Sequence, residues 1–172
     1  MTEDNTENLL TIELKDGTVE IEMFPEDAPK HVERIKELAQ EGVYDGVTFH
    51  RVMEGFMAQT GDVKFGNYYD YDENKVGTGG SDKPDLPAEF NERKHVRGTC
   101  SMARSSLPDS ANSQFFICFD TADFLDGEYT VWGQVIAGME HVDKIKRGAS
   151  GSGSVTDPDF MSKVFPGKRE ED

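Results

Sequence analysis

A chain of 172 residues has room for one domain with a sizeable core, and a 10% aromatic share with 11 Phe favours folding although only 35% of residues are hydrophobic. The formal net charge of −16 argues against binding to nucleic-acid backbones or anionic membranes, and no apolar run reaches the roughly 18 residues of a membrane span. Acidic residues are spread along the whole chain, which predicts a cytoplasmic protein suited to a salty cytosol where its self-repulsion is screened.

Residues 1–8 are acidic and polar, unlike a secretory signal, and are expected to form a disordered tail ahead of a single domain over 9–166. Leu10, Ile12 and Leu14 alternate with polar residues, Asp16-Gly17 follows, and Val19, Ile21 and Met23 alternate again; this predicts a two-residue-turn hairpin with one wet face. Pro25-Glu26-Asp27-Ala28-Pro29 suits the first turn of a helix by its acid and proline. Val32, Ile35, Leu38 and Ala39 form the apolar stripe of that helix, and Gly42 ends it.

Phe49 to Gly61 carries one fixed positive charge, Arg51, in an apolar run containing Phe56 and Met57, with Gln59 two residues on. Arginine is seldom buried unpaired, so from this stretch alone Arg51 is expected to pair with one of the many carboxylates. Asp62 to Lys75 reads as a polar loop with three tyrosines, closed by Gly77-Thr78-Gly79-Gly80. Glycines can cradle phosphate, but no Lys-Ser/Thr follows them, so tight turns or close approach of a ligand fit better.

Arg97 to Ala103 reads as a strand of small residues, and Ser113 to Phe119 as an aromatic strand buried on both faces. Tyr129 to Val135 is another strand after the Asp126-Gly127 turn, and Met139, Val142 and Ile145 mark a second short helix stopped by Gly148. Gly148 to Ser154 is a Gly/Ser connector, Met161 to Phe165 supplies a last strand, and residues 167–172 form a charged tail. Many strands and two helices favour an antiparallel barrel or sandwich. Cys100 and Cys118 are expected to be free thiols, and the four isolated histidines give no support to a metal site or other cofactor.

Phe49-His50-Arg51-Val52, Gly55-Phe56-Met57 and Gln59 resemble the central motif of the cyclophilins, the cyclosporin-binding peptidyl-prolyl isomerases. Gly77-Thr78-Gly79-Gly80, Arg97-Gly98-Thr99 with Ser101-Met102-Ala103, Ser113-Gln114-Phe115-Phe116-Ile117 and Phe124-Leu125-Asp126-Gly127 follow in the same order, from about Thr11 to Arg147. The resemblance implies a mainly β fold, a closed eight-stranded antiparallel β-barrel with two capping α-helices, and a site in an outer groove. It implies Arg51 as the catalytic arginine, and Phe56, Met57, Phe116 and Leu125 as walls of a proline pocket. Gln59 would bond the substrate backbone, Gly77, Ala103, Arg104 and Gln114 would line the groove, and Phe124 and Tyr129 would complete its rim. Singly, Phe56, Phe116 and Leu125 would pass for core residues and His50 for a structural one.

These residue types suit the reaction. Rotating a peptide bond costs about 18–20 kcal/mol of resonance. No bond breaks, so neither nucleophile nor metal is needed; tighter binding of the twisted amide suffices. The twisted imide nitrogen regains its lone pair, and an always-charged arginine is a donor for it. Partners are expected to be proline-containing peptides and unfolded or folding proteins, met by a monomer. Phe124 stands where many members carry Trp, which predicts weak cyclosporin binding because Phe lacks the indole N–H. Tyr129 replaces a frequent His and Arg104 a frequent Asn, which leaves a selectivity role open to Arg104. The Asp62 to Lys75 loop is longer than in compact members and the C-terminal segment fits the pattern poorly. A proline-peptide binding module without catalysis, or a folding chaperone, are the competing readings.

Overall fold

The computed structural model describes residues 8–167, so the tails expected at residues 1–8 and 167–172 lie, but for residues 8 and 167, outside the described residues. Strands β1 (Leu9–Leu14) and β2 (Gly17–Met23) pair antiparallel as a hairpin, with Leu10 opposite Ile21 and Ile12 opposite Val19. These four side chains are fully buried, whereas Glu22 is exposed, as the alternation requires. The two-residue turn is Lys15-Asp16 rather than Asp16-Gly17. Gly17 opens β2 because a Cβ there would lie 2.3 Å from Nε2 of His141.

Helix α1 (Pro29–Gln40) begins at its proline and buries Val32, Ile35, Leu38 and Ala39; Gly42 follows with a φ of 76°. Its cap differs from the expectation. No acidic residue lies in the first turn. Instead the Glu89 carboxylate accepts hydrogen bonds from the backbone N–H of Lys30 and His31 at 3.0–3.1 Å. The same carboxylate lies 2.6 Å from His31 Nδ1, so orphan donors at the positive helix end meet a negative charge supplied from a distant segment.

Strands β3 (Arg51–Met53), β4 (Met57–Thr60), β5 (Thr99–Met102), β6 (Phe115–Cys118), β7 (Val131–Ala137) and β8 (Lys163–Pro166) complete one antiparallel sheet ordered β3-β4-β6-β5-β7-β2-β1-β8. Helix α2 (Met139–Val142) is a single turn, shorter than the stripe to Ile145 suggested. Gly148 is not its stop. A Cβ there would lie 1.9 Å from the Gly153 carbonyl oxygen, so the glycine permits a close crossing of two backbone segments.

The sheet curls but is not a fully laddered barrel. Among the described residues the edge strands β3 and β8 share no ladder. Isolated bridges join Thr48 to Phe160 and Arg51 to Ser154, and Val52 N–H donates to the Gly153 carbonyl at 2.8 Å. The seam is therefore closed by irregular backbone, where the glycines and Pro158 of residues 148–158 cannot sustain a regular strand.

The main core holds Phe49, Val52, Ala58, Phe115, Ile117 and Trp132. A second apolar cluster lies across the sheet from it, formed by Met57, Phe116, Cys118, Ala122 and Leu125. The period of two along β4 and β6 separates them: Ala58 and Ile117 face inward, Met57 and Phe116 outward. Both cysteines are free and buried, and burial pushes the Cys118 thiol up to about 12, so it serves as packing.

Candidate functional site

The outer face of β3, β4, β6 and β5 sets Arg51 opposite Gln59, Gln59 opposite Phe116 and Phe116 opposite Ser101, one residue from each strand in a row. A cavity of about 340 Å³ opens beside this row. Of the twelve residues expected at the site, ten line it: Arg51, Phe56, Met57, Gln59, Gly77, Ala103, Arg104, Phe116, Leu125 and Tyr129. Gln114 instead lines an adjoining groove of about 740 Å³, which shares Gln59, Gly77, Ala103 and Arg104 with the first. Phe124 lines neither; it is 69% exposed on the rim, its ring 5.5 Å from that of Phe56.

Arg51 makes no ion pair among the described residues, contrary to what its local sequence suggests. Its Nε donates to the Ser152 carbonyl at 3.2 Å, Nη1 to Gln59 Oε1 at 3.3 Å, and Nη2 to Met53 Sδ at 3.5 Å. Three of the five guanidinium N–H groups are thereby engaged with neutral acceptors, and two are left for a ligand. Gln59 Nε2 donates to Gln114 Oε1 at 3.0 Å, and Gln114 Nε2 to the carbonyls of Gly77 and Gly79 at 3.0 and 2.9 Å. This relay sets the orientation of both amides, because each oxygen already accepts from the previous donor.

The far end of the relay rests on Asp62, which is fully buried. Its Oδ1 accepts from the N–H of Lys64 and Phe65 at 3.1 and 2.9 Å, and its Oδ2 from Gly77 and Gly79 at 2.7 and 3.0 Å. One carboxylate thus fastens both ends of the 62–79 loop, and four charge-assisted bonds offset its desolvation. A Cβ on Gly79 would lie 2.4 Å from Asp62 Oδ1, which is why this position lacks a side chain.

Behind the pocket wall, the His95 ring is stacked on Phe116, 6.1 Å between centroids at 18°. His95 Nδ1 pairs with Asp126 Oδ1 and Nε2 with Ser101 Oγ, each at 2.9 Å. A serine, a histidine and a carboxylate in sequence suggest hydrolytic chemistry, but Ser101 and His95 are fully buried and cannot meet a substrate. They brace the Phe116 ring.

Sequence reading missed His50, Glu73, Val76, Ser152 and Ser154 as lining residues. Ser152 and Ser154 lie in what reads as a bare connector, and nothing in their local pattern announces that the connector folds onto Arg51. His50 is 6% exposed, and neither ring nitrogen has a hydrogen-bond partner among the described residues. Burial lowers its pKa to about 4, with Asp62 opposing the shift and Arg51 adding to it. In the unfolded chain a histidine titrates near 6.5, so between pH 6.5 and 4 the unfolded state binds a proton that the folded state refuses. The contribution of His50 to stability is full above pH 6.5, falls by about 1.4 kcal/mol per unit between pH 6.5 and 4, and levels off below that. His31 and His95 are shifted down by burial as well and act with the same sign. Thermal melts at pH 7 and 4.5 should show His50→Gln losing about 2–3 kcal/mol less than the parent on acidification; equal losses would show that His50 is not the sensitive group.

Comparison with known proteins identifies the family to which the chain is similar. Residues 9–164 match the family model described as cyclophilin type peptidyl-prolyl cis-trans isomerase/CLD. A relative named probable peptidyl-prolyl cis-trans isomerase, from Brucella suis biovar 1 (strain 1330), is 58% identical over 160 residues, covering 92% of this chain and 82% of that protein. Peptidyl-prolyl cis-trans isomerase B of Bacillus subtilis (strain 168) is 38% identical over 137 residues, covering 78% and 88%. Among solved structures, a cyclophilin type peptidyl-prolyl cis-trans isomerase from Cryptosporidium parvum, crystallised in the presence of the dipeptide Ala-Pro, is similar with a TM-score of 0.80 at 26% identity. That likeness covers 94% of this chain and 99% of the other. A cyclophilin from Hirschia baltica gives a TM-score of 0.77 at 27% identity, covering 92% and 73%.

Proposed function

The chain belongs to the cyclophilin-type peptidyl-prolyl cis-trans isomerases, and from that footing we propose how it speeds X-Pro rotation: the proline ring sits in the apolar cavity while Arg51 donates to the imide nitrogen. The observation that carries this reading is the arginine without a carboxylate partner beside an apolar floor of Met57, Phe116 and Leu125. A paired arginine would have its charge already satisfied. This one is oriented by a carbonyl, an amide oxygen and a thioether, and keeps two N–H groups for an acceptor that exists only when the amide is twisted.

Unaided X-Pro isomerisation takes about 10–100 s at 25 °C. The enzyme shortens this by three contributions. The apolar cavity removes water from the amide, which favours the less polar twisted form and strengthens the arginine's hydrogen bond. Gln59, held by its relay, fixes the backbone beside the proline. Arg51 then stabilises the nitrogen lone pair. No residue changes covalently, and the substrate leaves as it came apart from one dihedral angle.

Partners in this reading are proline-containing peptides and folding proteins, met in the cytoplasm by a monomer. NMR exchange spectroscopy on a short Ala-Pro peptide, with enzyme at a few per cent of peptide, tests it. Cis-to-trans exchange faster than in buffer is expected; an unchanged rate would favour a binding module without catalysis.

The rim sets a further expectation. Phe124 has apolar area but no donor, and it leans on Phe56 at the edge of the cavity rather than into it. Cyclosporin is therefore expected to bind weakly, and Phe124→Trp to tighten it by about tenfold through one added hydrogen bond. Calorimetric titration of both proteins decides this, and equal affinities would refute the assignment of the rim to Phe124.

A further inference from the structure

Six arginines fall among the described residues, and they divide sharply. Four are paired with carboxylates: Arg34 with Glu37, Arg93 with Asp27, Arg97 with Asp143 and Arg147 with Glu54. Two are not, Arg51 and Arg104, and these are the two arginines that line the cavity. In a chain with 34 acidic residues and 18 basic ones this needs a reason. Arg51 has one in the reaction itself. Arg104 does not.

Arg104 lines the cavity and the adjoining groove alike, so it stands where a peptide leaves one for the other. Its plane is fixed. The guanidinium carbon lies 4.6 Å from the centroid of Tyr129 and 5.9 Å from that of Phe90. Nε and Nη2 donate to the Glu128 carbonyl at 3.0 and 2.7 Å, and Nη1 donates to the Ser105 carbonyl at 3.0 Å. Carbonyls orient the group without neutralising it, and two of five N–H donors remain unused. A planar, pre-oriented guanidinium with free N–H groups is suited to a carboxylate.

The other charges lie at one opening or the other, not at both, Arg51 at the cavity and Lys83 and Asp85 at the groove. In the adjoining groove Lys83 is paired with Glu41 at 2.9 Å, and Asp85 accepts from Asn112. Glu73 lines the first cavity but not the second, and it is exposed on the 62–79 loop. Arg104 is thus the one unneutralised charge common to both openings among the described residues.

Resting on the isomerase reading above, we propose that this enzyme prefers substrates carrying an Asp or Glu within two residues of the proline, and that Arg104 determines the preference. The net charge of −16 opposes approach of such a peptide at long range. At about 0.15 M salt that field is screened beyond about 8 Å, while the contact with Arg104 is not.

The test uses blocked peptides in which Glu or its isostere Gln stands one or two residues before the proline, or one after it. Exchange spectroscopy in 0.15 M KCl gives kcat/KM for each, and the Glu/Gln ratio is the readout. The wild-type ratio should be about threefold to tenfold in at least one position, as for a partly desolvated ion pair. Arg104→Gln should bring that ratio close to one, and Arg104→Lys should keep part of it. A ratio of one or less at every position in the wild type, or a ratio unchanged in Arg104→Gln, would overturn the proposal while leaving the isomerase reading in place. No acceleration of any peptide would overturn both.

Discussion

Arg51→Ala is expected to slow isomerisation by about 10²–10³-fold, the effect of removing one pre-oriented donor from a charge that develops in the transition state. The loss should fall on kcat, because in the proposed pose the proline ring would keep its contacts with the apolar cluster of Met57, Phe116 and Leu125 without the arginine. Arg51→Lys tests the geometry separately. Lysine keeps the charge but not the fork that meets Ser152, Gln59 and Met53 at once, so its ammonium is free to point away from the imide. Its rate should lie between those of the alanine variant and the parent. Line-shape or exchange NMR on one Ala-Pro peptide, run across the three proteins, checks the order; a kcat for Arg51→Ala equal to the parent's would remove Arg51 from the mechanism.

The second large effect belongs to Asp62, which never touches substrate. Asp62→Ala leaves four backbone N–H groups, all part-buried, without the acceptor that the buried carboxylate supplies. Each stranded donor costs about 1–3 kcal/mol, and relaxation of the loop limits the sum, so a loss of about 3–5 kcal/mol is expected. Asp62→Asn should fall short of that. One amide oxygen can still accept on one side, but its NH2 then faces N–H donors on the other. The relay from Gly77 and Gly79 through Gln114 to Gln59 should slacken in both variants. Urea denaturation measures the stability, and hydrogen exchange at the Gly77 and Gly79 amides reports the loop. Unchanged protection at those two amides would show that Asp62 does not anchor it.

The parts that could be read from sequence are those where a period of two or 3.6 carries the information. Alternation in β1 and β2 placed Ile12 and Ile21 inside, and the apolar stripe of α1 predicted its buried face. In β3 and β4 the structure shows the same alternation, with Val52 and Ala58 inside and Arg51 opposite Gln59 outside, but the run from Phe49 to Gly61 did not announce it. What escaped is nonlocal. Glu89 caps α1 from 59 residues beyond Lys30, and no pattern near either announces the contact. Asp62 reads as one acid among many until the loop brings Gly77 and Gly79 back to it. Arg51 illustrates both cases. Its facing across from Gln59 follows from register, whereas its lack of an ion pair depends on which distant chain segment happens to cover it. The closed barrel that the resemblance implied matches the fold, except that its seam is joined by single bridges rather than by a ladder.

That seam ties Arg51 to a segment made long after it. Arg51 bridges Ser154 and donates to the Ser152 carbonyl, so one of the three groups that orient it lies about a hundred residues beyond it, while Met53 and Gln59 are close by in the chain. At roughly 5–20 residues per second, this leaves a growing chain for some 5–20 s with its arginine made and the Ser152 carbonyl that holds its Nε still missing. A protein of this design helps the folding of others only once it has completed its own.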